Sequence, residues 1–445
     1  MFSTPLISFI KRLHFYIGLF VGPFIFIAAL SGTLYVLSPP IEKILYHHEL
    51  TTESQGQAHG LEQQINAAKA SLQSPLPLSA VRPAKAPGQT TRVMFQDPNN
   101  YGWELRTLFI DPVSLEVRGD LPTYGTSGIL PFRITLDYLH RNLLLGEPGR
   151  IYSELAASWL WVVALGGAIL WMSSRKQPTP KRPNARYRYK RRHQRLGLLL
   201  FVGLVFFSAT GLTWSKWAGG NIGQWRQTLG WVTPSVSLTL NSNNMTENNP
   251  HHHEIAQSTV SKHVFTARDF DAVLTIARQG GIDADKVEIK PPSASDRAWL
   301  VREIDRSWPS QVDSVAIDLD RQTITSRADF SDYPLVAKLI RWGIDAHMGV
   351  LFGLLNQLIL ATFGLCLCWM IILGYKMWWQ RRPTKTSNQQ YLILSWQPLP
   401  RKDKAIIAII TTVLALALPV LGVSLAGFVL IDLWLWRRTY KHAQT

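Results

Sequence analysis

Apolar and polar residues alternate along the chain in long blocks. A bilayer core about 30 Å thick needs about 20 helical residues, and the apolar runs at 14–37, 151–172, 196–217, 348–378 and 405–436 reach that length. They predict transmembrane helices at 14–37, 140–172, 196–217 and 344–378, the second and fourth each opening with a histidine-bearing segment. The first run is longer than a signal-peptide core and lacks an A-x-A site, so it reads as a retained helix. The last run would reach about 48 Å as a single helix. It carries Pro419 and Gly422 at its middle, which predicts a helical hairpin over 405–436.

The polar blocks carry short-period patterns of their own. Arg92–Phe95 and Glu104–Asp111 alternate as strands, and so do Lys286–Lys290, Ala298–Ile304 and Ser314–Asp320. An amphipathic helix is predicted at 267–280. Residues 38–139 and 218–340 therefore read as two small α+β outer domains.

Charge orients these elements. The 445 residues are 47% apolar and 17% charged, with a net charge of +16. Ten Lys/Arg and no acid lie between Arg175 and Arg195, within a basic loop at 173–195. Seven basic residues face one acid between Lys376 and Lys404, whereas both long polar blocks are slightly acidic. Short basic loops beside apolar spans put the N-terminus and the basic loops in the cytoplasm and both long loops outside. No base-stacking or groove-reading element accompanies the basic stretches, so nucleic acid is not an expected partner. Membrane lipid is. Cys366 and Cys368 sit two apart in an apolar run, on different helix faces, and read as fillers.

Sliding the chain along itself reveals a duplication. His14, Gly18, Ser31 and Gly32 recur as His193, Gly197, Thr210 and Gly211, each 179 residues later. Ile110-Asp111, His140, Gly146, Gly167 and Trp171 recur as Ile317-Asp318, His347, Gly353, Gly374 and Trp378, each 207 residues later. The 28-residue difference falls to an insertion near the Asn/Ser/His-rich stretch 240–253. The fold expected is thus an α-helical integral membrane protein. It is made of two tandem copies of helix, α+β outer domain and helix about a pseudo-two-fold axis, plus the C-terminal hairpin.

Any one histidine at a helix end could simply meet water or headgroups. Recurrence in both copies changes that reading. His14 and His193 lie at cytoplasmic ends, His140 and His347 at outer ends, and a two-fold axis brings each pair together. Facing imidazoles from a helical bundle suit the two axial positions of a haem iron. Gly18 and Gly197, one turn beyond their histidines, leave room for a flat macrocycle. Arg12, Arg192, Arg141 and Arg341 stand near enough in sequence to pair with propionates. Zinc and copper sites draw on Cys or carboxylates in a compact cluster, which the pattern does not offer. His47, His48 and His251–His253 have no counterpart in the other copy.

The stretches K-R-L-H-F-Y-I-G-L-F-V-G-P-F and S-G-T-L-Y, with L-H-R-N-L-L-L-G-E-P-G-R, A-H-M-G-V-L-F-G-L-L-N-Q and W-W-Q-R-R-P, resemble the PepSY-associated transmembrane helix family of bacterial inner membranes. The resemblance implies PepSY-like outer domains in the periplasm and a role in iron uptake. It further implies haem in the membrane and a ferric-siderophore reductase activity, and with the two histidine pairs the expected cofactor is haem b, two per chain. No G-x-G-x-x-G follows a strand, so the expected electron source is a separate cytoplasmic donor or quinol. The rival expectations are a non-redox accessory or transport component of siderophore uptake, and a PepSY-type peptidase regulator.

Overall fold

The computed structural model describes residues 3–98, 104–175, 180, 182, 184–240, 265–380 and 391–442. All but the first residue of the 240–253 stretch lies outside the described residues, as do Arg381, Arg382 and part of the basic loop.

The chain begins with α1 (Thr4–Phe20), α2 (Gly22–Leu45) and the single turn α3 (His47–Leu50). Next come α4 (Leu61–Ser71), β1 (Leu78–Arg82), β2 (Thr91–Phe95), β3 (Glu104–Ile110) and β4 (Val117–Tyr124). α5 (Pro131–Asn142), α6 (Gly146–Ser174), α7 (Ala185–Thr213) and α8 (Trp217–Thr228) come after them. A second mixed stretch holds α9 (Asp269–Gln279), β5 (Val287–Lys290), β6 (Trp299–Glu303), β7 (Ser314–Asp318) and β8 (Thr323–Ala328). The chain then runs through α10 (Leu335–His347), α11 (Gly353–Trp379), α12 (Leu392–Trp396), α13 (Arg401–Ala417) and α14 (Pro419–His442).

Contacts divide these elements into two bodies. The helical body comprises Met1–Val36, Leu136–Leu229 and Leu358–Thr445. Among the described residues, α2, α6, α7, α11 and the Pro419–Arg438 part of α14 are long and apolar enough to cross a membrane. Its centre is formed by Ile17, Val21, Trp159, Leu160, Leu204 and Leu367. The first apolar run is not one helix: α1 and α2 meet at Val21 because Pro23 lies in the first turn of α2. Proline has no N–H for the carbonyl four residues back. Here that carbonyl is Leu19's, and it accepts the Tyr375 hydroxyl at 2.7 Å instead. The last run likewise divides, into α13 and α14, with Gly422 lying against Ala415. The Asn221 amide donates to Leu416 O and Ala417 O, two carbonyls that the end of α13 leaves without helical partners. α7 begins well before the expected span, with Arg186–Arg195 already helical. Arg and Lys favour helix, and the Asn184 side chain accepts the Tyr187 N–H as an N-cap.

The mixed body comprises Leu37–Thr135 and Gly230–Gln357. Among the described residues its strands run in the order β4-β3-β2-β1-β5-β6-β7-β8, every neighbour antiparallel. Two four-strand meanders thus meet edge to edge, Val81 opposite Ile289. α4 precedes the first meander and α9 the second. Alternate residues Val81, Val93, Phe95, Ile289, Val301 and Ile317 face one core with Ile65 and Phe270 from these helices. On the other side of the seam, Arg82 reaches Glu288 at 2.6 Å, and Arg302 reaches its second oxygen at 2.5 Å. The recurring Ile-Asp pairs end β3 and β7. Each isoleucine is buried, and each aspartate accepts a backbone N–H from the next turn, Val113 on Asp111 and Arg321 on Asp318.

Two expected features differ. The expected 344–378 segment is interrupted: α10 stops at His347 and α11 starts at Gly353, with Gly349 and Gly353 at positive φ. The 140–172 segment divides into α5 and α6 at Leu143–Gly146, all but Leu145 at positive φ. Pro148 fits within the first turn of α6, where its missing N–H is not needed. Gly149 lies so close to the Asn142 carbonyl that a Cβ would overlap it.

Candidate functional site: a paired-histidine centre

His14 lies on α1 and His193 on α7, both half-buried within the helical body. The structure brings them together, ring centres 6.3 Å apart and planes at 85°. Each ring is fixed by the backbone of another helix. His14 Nδ1 donates to the Val163 carbonyl of α6 at 3.0 Å, and His193 Nδ1 donates to the Met370 carbonyl of α11 at 3.0 Å. A carbonyl can only accept, so in the neutral ring Nδ1 carries the proton and Nε2 keeps its lone pair. That is the tautomer a metal requires of Nε2.

Glycine makes this approach possible. A helix carbonyl points along the axis toward the residue four positions on, so a ring that docks on it lies over that residue. At Gly167, four after Val163, a Cβ would stand 3.2 Å from His14 Cε1. At Gly374, four after Met370, it would stand 3.8 Å from His193 Cε1. The carbonyls, like the glycines, are 207 residues apart, and the histidines 179.

The space beside the pair is open. A Cβ at Gly18 would meet nothing within 4 Å, and one at Gly197 would meet only the Met370 sulfur, at 3.5 Å. A first-row metal–imidazole bond is about 2.0 Å and a ring nitrogen lies ~1.1 Å from its centre, so two imidazoles trans on one metal have centres about 6.2 Å apart. The observed spacing, the Nδ1-anchored rings and the bare backbone at Gly18 fit a bis-histidine haem. Among the described residues no three His, Cys, Asp or Glu side chains cluster as a compact metal site would need.

His140, near the end of α5, repeats the local pattern. Ser31 Oγ donates to Ile27 O at 2.7 Å, so toward His140 Nδ1, at 3.2 Å, it accepts. Gly32 lies beneath the ring, where a Cβ would stand 3.1 Å from Cε1. The Tyr152 hydroxyl donates to the His140 carbonyl at 2.9 Å. His347 belongs to the mixed body, half-buried as the last residue of α10. Two residues before it, buried Asp345 takes Arg306 Nε at 2.6 Å and stands 3.1 Å from Arg341 Nε. Of the arginines proposed for propionates, Arg341 is therefore engaged by Asp345, while Arg12 lies over the Phe15 and Tyr16 rings and Arg141 over Tyr138. His48 pairs with Arg118, and His47 with Thr51 in its own turn.

Sequence comparison singled out Gly167, Gly374, Ser31 and Gly32 only as recurring letters. Their contacts with histidine rings, three glycines lying against a ring and Ser31 bonding one, were not legible. The Val163 and Met370 carbonyls carry no side-chain signal at all, and only the 207-residue offset could have pointed to them.

Compared with known families, residues 11–381 match the PepSY-associated TM region. The match spans well over half of the chain, which therefore belongs to that family. The search of curated proteins returned no match.

Proposed function

We propose that this member of the PepSY-associated TM region family is a bis-histidine haem b electron carrier that reduces a ferric siderophore outside the inner membrane and releases Fe(II). The observation that carries this reading is the His14–His193 pair, with centres 6.3 Å apart and both Nδ1 atoms anchored on backbone carbonyls. His14 and His193 would hold the haem, which when bound would supply a one-electron couple. The chain's part is to fix the tautomer, hold both rings by the α6 and α11 backbones, and leave the glycine faces free. The repeated offsets support two tandem copies about a pseudo-two-fold axis. His140, with Ser31 and Gly32 against its ring, is the candidate ligand of a second, outer haem.

The basic segments support a cytoplasmic N-terminus, so in this reading electrons enter from a cytoplasmic donor or quinol and leave toward the periplasm. One electron converts Fe(III) to Fe(II), which hard oxygen ligands hold less tightly. The test is the visible spectrum of the protein purified from haem-replete cells, with a ferric siderophore then added to the dithionite-reduced form. A sharp Soret band, a reduced α-band and reoxidation with trapped Fe(II) are expected. A colourless protein would leave the non-redox accessory role or peptidase regulation in its place.

A further inference from the structure

We propose that α10, with Trp308 and Phe352, is an in-plane anchor that lies in the headgroup–acyl boundary of the membrane. α10 is two-sided. Ala337 and Asp345 are buried in the mixed body, and Arg341 stands beside Asp345 on the same side. The opposite side carries Leu335, Leu339 and Trp342 at spacings of four and three, which stack as one stripe. Leu335 is 66% exposed, Leu339 55%, and the neighbouring Trp308 and Phe352 56% and 55%.

These residues form one surface. Trp308 packs against Trp342 with ring centres 5.5 Å apart and against Phe352 at 6.2 Å, and Phe330 packs on the other edge of Trp342 at 5.7 Å. The Trp308 N–H donates to Leu351 O at 2.7 Å, which ties its loop to the segment between α10 and α11. Lys338, one position from the stripe, holds its ammonium over Phe330 and on the Ser331 carbonyl.

Single exposed apolar side chains need no explanation, but a contiguous strip of this size does. The next element of the chain identifies the occupant. Only five residues separate His347 from α11, a candidate membrane span, and the first turn of α11 continues the strip with exposed Leu354 and Leu355. An amphipathic helix leading into a span, with tryptophans beside its apolar face, fits the bilayer boundary. The corresponding helix of the first copy, α5, has only Thr135 exposed, so the anchor belongs to one copy alone. Its last residue is His347, whose depth it fixes. The inference does not depend on haem being bound.

Nitroxide accessibility tests it in the full chain, reconstituted in lipid nanodiscs with Cys366→Ala and Cys368→Ala. Labels are placed singly by Leu335→Cys, Leu339→Cys, Ser331→Cys as the aqueous reference, and Leu358→Cys as the bilayer reference. All four sites are exposed, so labelling leaves the packed face of α10 intact. Labels at 335 and 339 are expected to collide with oxygen over a water-soluble nickel chelate at a ratio several-fold above that at 331, approaching that at 358. A ratio equal to that at 331 would overturn the anchor in favour of water. Low collision with both reagents would overturn it in favour of a protein partner.

Discussion

The glycine contacts of His14 and His193 differ in tightness, and the difference can be tested by adding one methyl group to each glycine. In Gly167→Ala the new Cβ would stand 3.2 Å from His14 Cε1, a spacing that forces the neighbour to give by a few tenths of an ångström. The ring atom next to Cε1, Nδ1, is held by the 3.0 Å bond to Val163 O, so the ring must tilt and strain or break that bond. Metal–ligand distances hold to about 0.2 Å, and disturbing an outer-shell partner typically costs about 10–100-fold in affinity. That corresponds to about 1.4–2.8 kcal/mol. In Gly374→Ala the Cβ would stand at 3.8 Å, ordinary contact, so His193 stays in place. Haem titration into the apo-protein, with low-temperature EPR of the product, reads both variants. Gly167→Ala is expected to bind one haem at least about tenfold more weakly or with shifted g-values, by the same outer-shell estimate. Gly374→Ala is expected to match the parent. Equal behaviour of the two variants, in either direction, would refute the argument from ring contact.

Tyr375→Phe leaves the Leu19 carbonyl without its donor, a loss of about 1–3 kcal/mol visible as a lower melting temperature. The loss should shrink in a Pro23→Ala background, where the residue 23 N–H can serve that carbonyl; an undiminished loss would place the cost elsewhere. Gly32→Ala presses on His140 at 3.1 Å and should weaken the second haem while sparing the first, as EPR would resolve. In the mixed body, burial pushes the Glu288 carboxyl up, but Arg302 and Arg82 more than reverse this and hold it at about 2. A lowered folded pKa gives stability that is complete above the ordinary carboxylate range and lost as pH falls toward 2. The sheet should therefore lose stability in that acid window, by an amount on the order of 3 kcal/mol. Glu288→Gln should abolish this contribution and lower stability at neutral pH, since Arg82 and Arg302 would be left unpaired. A circular-dichroism pH titration compares the two, and superimposable curves would contradict it.

The apolar blocks located the membrane helices because hydrocarbon thickness leaves a length signal. They did not mark the break at Val21, which depends on Pro23 and on a hydroxyl from the distant Tyr375. β2, β3, β5, β6 and β7 were legible from alternation. β4 and β8, at the sheet edges, were not, since one carries Gly119, Asp120 and Pro122 and the other Thr323, Thr325 and Ser326. β1 was hidden by Pro77 and Pro83 on either side. The histidines were legible through their constant offsets of 179 and 207 residues. Their anchoring was not, because its acceptors are backbone carbonyls, which every residue possesses.

The central claim is that His14 and His193 hold the same haem. Pyridine haemochrome counting of His14→Ala, His193→Ala and the double variant tests it most directly. The account expects two haems per chain in the parent and one in each single variant. The same one should remain in the double variant, with an unchanged reduced spectrum. Two haems retained in either single variant, or none left in the double, would contradict it.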